Sequence, residues 1–340
     1  MTTPTPLVPQ GGGHHDPVEA ETVENAIELK EVEGLSQGRI VFRRFIRHRG
    51  AMVAAVVLTF IVLLATTSIG WGPIPGWWKF STRDLPPVVN PGGAPTFSLS
   101  GGLTLGEHPF GQDNLGKDVF ALVMRGTQQS LLVMVIIGLL ATSIGIVMGS
   151  ISGFFRGRTD NILMRFTDMI ITIPVIMIGA ILGAWVGGAN PVTLAVALSF
   201  VTWTSMARLV RGEFLSLRER EFVDAARVAG ASNVRIMFKH MLPNAIGVMI
   251  VNTTLLMASA ILLETALSYL GFGISFPNVS LGTLISEYQT AFATRPWLFW
   301  WPGLFIVTIA LCVNFIGDGL RDAFDPRQRR IPSKRKMAKA

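Results

Sequence analysis

Ala51-Met-Val-Ala-Ala-Val-Val-Leu-Thr-Phe-Ile-Val-Leu-Leu-Ala-Thr-Thr-Ser-Ile69 carries no charge, no proline and no glycine. Its length decides the fold. Bilayer hydrocarbon is about 30 Å thick and a helix rises about 1.5 Å per residue, so about 20 apolar residues cross it. Charge-free runs recur at 130–155, 169–207, 241–263, 265–286 and 296–317. Half of the 340 residues are hydrophobic and only 15% are charged, well below the roughly 25% of a soluble domain. Mean hydropathy is +0.48. These values imply a polytopic membrane protein.

The run at 169–207 is long enough for two spans, and Gly187-Gly-Ala-Asn-Pro191 breaks it as a tight turn would. The run at 265–286 holds Gly271, Gly273, Pro277, Asn278, Gly282 and several serines. Backbone groups in lipid must be satisfied internally, so this run reads as an external, re-entrant loop. The expectation is six spans, near 51–70, 130–154, 162–186, 192–210, 243–264 and 297–317. An external loop fills 71–129.

Basic residues orient the spans. With the N-terminus cytoplasmic, 24 of the 29 Lys and Arg fall inside, and only Lys79, Arg83, Lys117, Arg125 and Arg295 fall outside. A seventh span would put the basic C-terminal tail outside, against the positive-inside rule. Trp71, Trp77 and Trp78 follow the first span, and Trp297, Trp300 and Trp301 open the last, as expected of an external interface. The net charge of +7 therefore reads as topology, not nucleic-acid binding. Residues 1–38 lack the apolar core of a signal peptide and read as a disordered cytoplasmic tail; 328–340 reads as a basic cytoplasmic tail. The one cysteine, Cys312, lies in an apolar run, and no Cys/His cluster points to a metal. His14 and His15 form a lone pair in the tail.

The cytoplasmic segment 211–242 is the long internal connection. Its part Arg220-Glu-Phe-Val-Asp-Ala-Ala-Arg-Val-Ala-Gly-Ala-Ser-Asn-Val-Arg-Ile-Met-Phe-Lys-His-Met-Leu-Pro-Asn244 reads as helix, glycine stop, helix. Gly230 supplies the left-handed residue that ends the first helix. Ser232 caps the second, and Pro243 marks its end at Leu242. Ala225, Ala226, Ala229 and Ala231 cluster round the turn. A knuckle of small residues flanked by charge suits docking into a groove on another protein.

Asp224-Ala-Ala226, Gly230 and Leu242-Pro243 at this spacing resemble the EAA loop of ATP-binding-cassette (ABC) importer permeases. Asp224 stands where that family often has Glu, and His240 where many members have Ile. Lys239-His-Met-Leu-Pro-Asn244 is similar to the form typical of the dipeptide/oligopeptide/nickel branch (DppC/OppC-type). His108-Pro-Phe-Gly-Gln-Asp-Asn-Leu-Gly-Lys-Asp118 resembles the segment before the second span of that branch. Met164-Arg-Phe-Thr-Asp168 with Pro174, Ala207-Arg-Leu-Val-Arg-Gly212, Leu267-Ser-Tyr-Leu-Gly-Phe-Gly273, Gly317-Asp-Gly-Leu-Arg-Asp322 and Asp325-Pro-Arg327 match it too. Leu281 departs, where members often have Trp. The likeness covers about 39–327, taken as the permease domain.

The resemblance implies an all-α, six-span, MetI-like type I importer permease in the plasma (inner) membrane. It implies a second permease subunit as heterodimer partner, one or two cytoplasmic ABC ATPases and an extracytoplasmic binding protein that delivers short peptides. The coupling set would be Glu221, Asp224, Ala225, Ala226, Gly230, Ala231, Ser232, Leu242 and Pro243. The loop at the pathway mouth would be His108, Pro109, Phe110, Gly111, Asp113, Gly116 and Asp118. The sequence contains no Gly-x4-Gly-Lys-Ser/Thr, the loop that cradles nucleotide phosphates. The chain is therefore expected to bind no cofactor, with ATP and Mg on the ATPase partner. Nickel, glutathione or another small solute remain open as cargo.

Ionisable residues near spans are functional candidates. Arg165 and Asp168, Glu264, and Asp318 and Arg321 all read as lying near an interface, where anchoring or helix pairing is expected. Without a mid-membrane carboxylate or an internal repeat, a secondary transporter is disfavoured.

Overall fold

A computed structural model describes residues 37–97, 105–186 and 190–324. The expectations for the rest of the N-terminal tail, Gly187 to Ala189, Asp325 to Arg327 and 328–340 lie outside the described residues. The described residues are helical: α1 (Gln37–Arg47), α2 (Arg49–Ser68), α3 (Val119–Phe155), α4 (Gly157–Thr172), α5 (Val175–Val186), α6 (Pro191–Thr202), α7 (Thr204–Leu217), α8 (Glu221–Val228), α9 (Asn233–Tyr269), α10 (Leu281–Tyr288) and α11 (Pro296–Phe324). Four helices, α2, α3, α9 and α11, are each long and apolar enough to cross a bilayer. Counting the bent pairs α4–α5 and α6–α7 as one crossing each makes six.

Both described ends lie on one face, here the terminal face. His48 Nε2 is 3.4 Å from an Asp322 carboxylate oxygen, joining the start of α2 to the end of α11. The opposite, far face carries the loop residues 71–97 and 105–118 and α10.

Three boundaries differ from the sequence expectation. The second span starts at Val119, not near 130, because Asp118 caps it by accepting from the Ala121 N–H at 2.7 Å. The polar run through Gln129 that read as loop is buried helix: Gln128 donates to the Ala65 and Gly70 carbonyls at the far end of α2. The fifth span continues to Tyr269, so only the remainder of 265–286 is loop and α10. Pro243, expected to end a helix, sits inside α9. The stretch Ile236–Met241 before it is π-helical, and the Leu242 N–H reaches back to the Met237 carbonyl. The wider turn makes room for the proline ring, which would clash with a regular α-helical carbonyl.

Two spans are broken rather than straight. Pro174 forces Ile173 into extended geometry (φ −91°, ψ 128°), and α5 departs from α4 by 82°. Trp203 separates α6 from α7, with a bend of 43°.

The interior forms three layers. Near the far face Phe120, Met124, Leu281, Leu298 and Ile309 pack together. Ile137, Leu194, Leu198 and Leu267 fill the middle. Near the terminal face Phe154, Phe214, Val223, Ile236 and Met241 close the core. Lipid gives little hydrophobic drive between helices, so close approach of small residues carries the packing. Gly145, Gly149 and Gly153 form such a stripe on α3 against α7: a β-carbon on Gly145 would lie 2.6 Å from Met206 Cβ, and one on Gly153 would lie 2.7 Å from Phe214 Cβ.

Candidate functional site

The knuckle between α7 and α9 is built as a reversal. Gly230 has φ +77°, its N–H bonds the Arg227 carbonyl, and the Ala231 N–H bonds the Ala226 carbonyl, which closes α8. Ser232 Oγ accepts from the Arg235 N–H at 3.4 Å and starts α9. Val223 and Ala226 turn inward against Ile236, Met237 and Met241. Glu221, Asp224, Ala225, Gly230, Ser232 and Pro243 are exposed; Ala231 and Leu242 are half-buried. Ala226 therefore corrects the sequence reading, which put it on the docking surface with Gly230. It is 9% exposed and seats the knuckle on the helix bundle.

The residues at the tip were missed. Val228 is 90% exposed and Val234 64%, one on each side of Gly230, with Phe222 and Phe238 also exposed. Two valines flanking a predicted turn were the available signal. The base is pinned: the Arg218 guanidinium donates to the Phe154 carbonyl at 2.6 Å, and Arg156 pairs with Glu219 at 2.6 Å. The Asp224–Arg227 pair (2.8 Å) is exposed and contributes little.

The far-face loop is a packed plug, not a solvated linker. His108 Nδ1 and Asp118 Oδ2 are 2.6 Å apart, and both side chains are buried. Asp118 Oδ1 also accepts from Trp78 Nε1, and Phe80 stacks on the imidazole. Phe110 stacks on Trp301, with ring centroids 3.8 Å apart. Pro109, Gly111 and Gly116 are buried. Asp113 accepts from the Leu115 and Lys117 N–H groups and from the Tyr288 hydroxyl. Burial and the Asp113 carboxylate push the Tyr288 phenol well above its ordinary value. At the exposed rim, the hydrogen bond from Lys79 holds Glu107 below the usual carboxylate range.

A third feature joins the two breaks. A cavity of about 510 Å³ is lined by Ile173 and Pro174 at one break, Thr202 and Thr204 at the other, and Asn252 and Ser259 of α9. None of its lining residues is ionisable. The Thr202 and Ser259 hydroxyls donate to the Leu198 and Leu255 carbonyls, leaving their oxygens able to accept. Irregular backbone at membrane depth is tolerated where it lines a cavity. Pro174 was the sequence signal for this site.

The charged residues pair across helices. Asp168 pairs with Arg208 at 2.5 Å, not along its own helix with Arg165. Asp160, not singled out in the sequence, takes a two-pronged contact from Arg211. Glu264 is fully buried, accepting from Ser130 of α3 at 2.8 Å and Ser268 at 2.7 Å. Through Ser130 it pairs α9 with α3.

Residues 145–330 match the family model for the binding-protein-dependent transport system inner membrane component. Residues 36–82 match that for the N-terminal TM domain of oligopeptide transport permease C. The oligopeptide transport system permease protein OppC of Mycobacterium tuberculosis is 37% identical over 302 residues, 88% of this chain and 98% of that protein. OppC of Escherichia coli is 38% identical over 310 residues, 91% and 98%. Inward-facing structures of the MetNI methionine ABC transporter align with a TM-score of 0.50 at 18% identity, covering 60% of this chain and 97% of the matched chain.

Proposed function

The chain belongs to the binding-protein-dependent transport system inner membrane components, as a permease subunit of an ABC importer, and we propose that its cargo is short peptides. The names of the relatives support that cargo. The uncharged cavity at the two helix breaks supports it too, because side chains of either sign would meet no fixed charge there.

In this reading the terminal face is cytoplasmic and the knuckle enters a cleft on an ABC ATPase. ATP and Mg belong to that partner, where hydrolysis takes place; this chain catalyses nothing. A second permease completes the pathway, and an extracytoplasmic binding protein delivers peptide to the far face, above His108–Asp118. ATPase closure moves the knuckle, and packed helices carry the motion to the breaks as a rigid-body change.

The carrying observation is the pair Val228 and Val234: apolar, exposed, and held at the tip of a knuckle whose inner face, Val223, Ala226, Ile236, Met237 and Met241, is buried. The test is Val228→Glu in the complete importer. Among the described residues Val228 is 90% exposed, so insertion and folding should survive. Co-purification of the ATPase should fall at least about tenfold, the equivalent of about 1.4 kcal/mol, and peptide-stimulated ATP hydrolysis should fall with it. Retention of both properties would remove the knuckle as the coupling element.

A further inference from the structure

Transport does not account for α1. At 100° per residue, its sequence Gln37-Gly-Arg-Ile-Val-Phe-Arg-Arg-Phe-Ile-Arg47 divides the helix surface into sectors. Val41 and Phe45 face a groove shared with Ile250, Leu320 and Phe324. The next sector holds Phe42, at the rim of that groove and 63% exposed, and Ile46, 47% exposed. Beyond it lie Arg39, Arg43 and Arg47, spaced four apart and exposed. Among the described residues these three have no acidic partner. Only His48 separates α1 from the first span, so α1 is tethered at the bilayer edge.

An exposed apolar strip beside an arginine strip, held at the mouth of a span, complements one surface: acyl chains beneath anionic headgroups. We propose that α1 is an interfacial helix that binds anionic phospholipid, with Arg39, Arg43 and Arg47 on the headgroup phosphates and Phe42 and Ile46 at the acyl boundary. The groove side stays on the protein, so lipid bound here touches the element that opens the first span and leans on the last. The terminal face of the permease thereby senses the charge of its own leaflet.

Each arginine near an anionic surface strengthens association about fivefold, so three together are expected to give about a hundredfold. The experiment places a nitroxide at position 46 (Ile46→Cys on Cys312→Ala) in the complete importer. Nanodiscs contain phosphatidylcholine alone or with phosphatidylglycerol. Oxygen reports acyl depth, and a water-soluble nickel chelate reports solvent. Phosphatidylglycerol should shift the label from nickel-accessible to oxygen-accessible, with a population ratio changed by up to about a hundredfold. The combined substitution Arg39→Gln, Arg43→Gln and Arg47→Gln should abolish the response. Equal accessibility in the two lipids would overturn the proposal. So would shielding from both reagents, which would show that protein, such as the acidic tail of this chain or another subunit, covers the face. If the triple variant does not assemble, the lipid comparison on the otherwise unaltered chain decides.

Discussion

Asp118 does three things with two oxygens: it caps α3, accepts from Trp78 and holds His108. Asp118→Ala removes all three and leaves buried donors unpaired, a loss of about 2–4 kcal/mol. Asp118→Asn keeps an oxygen for the cap and should lose less. The order Asp118, Asn, Ala in thermal midpoint of the purified complex checks this. Glu264 is a second such residue. Glu264→Ala strands the Ser130 and Ser268 hydroxyls in the core and should cost about 1–3 kcal/mol; Glu264→Gln, whose oxygen accepts from one serine while its amide N–H donates to the other, should cost less. If both Glu264 variants melted with the unaltered complex, its role in joining α3 to α9 would fail. Gly230 and the Ser232 cap were legible because local backbone chemistry decides them. The inward turn of Ala226 was not, since it depends on Ile236 and Met237 arriving across the turn from α9. The same holds for the plug: its prolines and glycines promised a shaped loop, but the stacking on Trp301 unites residues far apart in sequence. Replacing 110–113 with Gly and Ser is therefore a folding change as much as a change at the pathway mouth.

At the scale of elements, hydropathy marked the helices long and apolar enough to cross, because the bilayer imposes one length on all of them. It did not find where crossings bend or where polar helix continues past them. Gln128 looks like loop until α2 and the turn after it offer it the Ala65 and Gly70 carbonyls. Pro243 looks like a terminus until a π-helical turn absorbs it. The Gly145, Gly149 and Gly153 stripe was written in the sequence at a spacing of four, and its partner helix was not. Gly149→Leu should force α3 off α7, where backbone and Val210 crowd the site, costing about 1–3 kcal/mol or more. Gly212→Leu meets open space and should be tolerated. Recovery of monodisperse complex in size-exclusion chromatography distinguishes the two.

At the scale of the whole molecule, both described ends share one face, and the proposed orientation puts that face in the cytoplasm. Single cysteines on the Cys312→Ala background test it. Leu115→Cys, exposed on the far face, should react with an impermeant maleimide in intact cells. Thr159→Cys, exposed at the start of α4 on the terminal face, should react only after the membrane is opened, and the reverse pattern would invert the molecule. Continuity through Pro243 has a mechanical meaning. Because the π-helical turn keeps the chain helical there, the second arm of the knuckle and the fifth crossing are one piece, Asn233–Tyr269, about 55 Å from end to end. In the proposed mechanism the piece works as a crank. A tilt of about 10° at its foot sweeps its head through roughly 10 Å, given that length. At the head, Glu264 accepts from Ser130 of the neighbouring helix, so in the proposed mechanism the throw of the crank would pass to α3 and not into a loop.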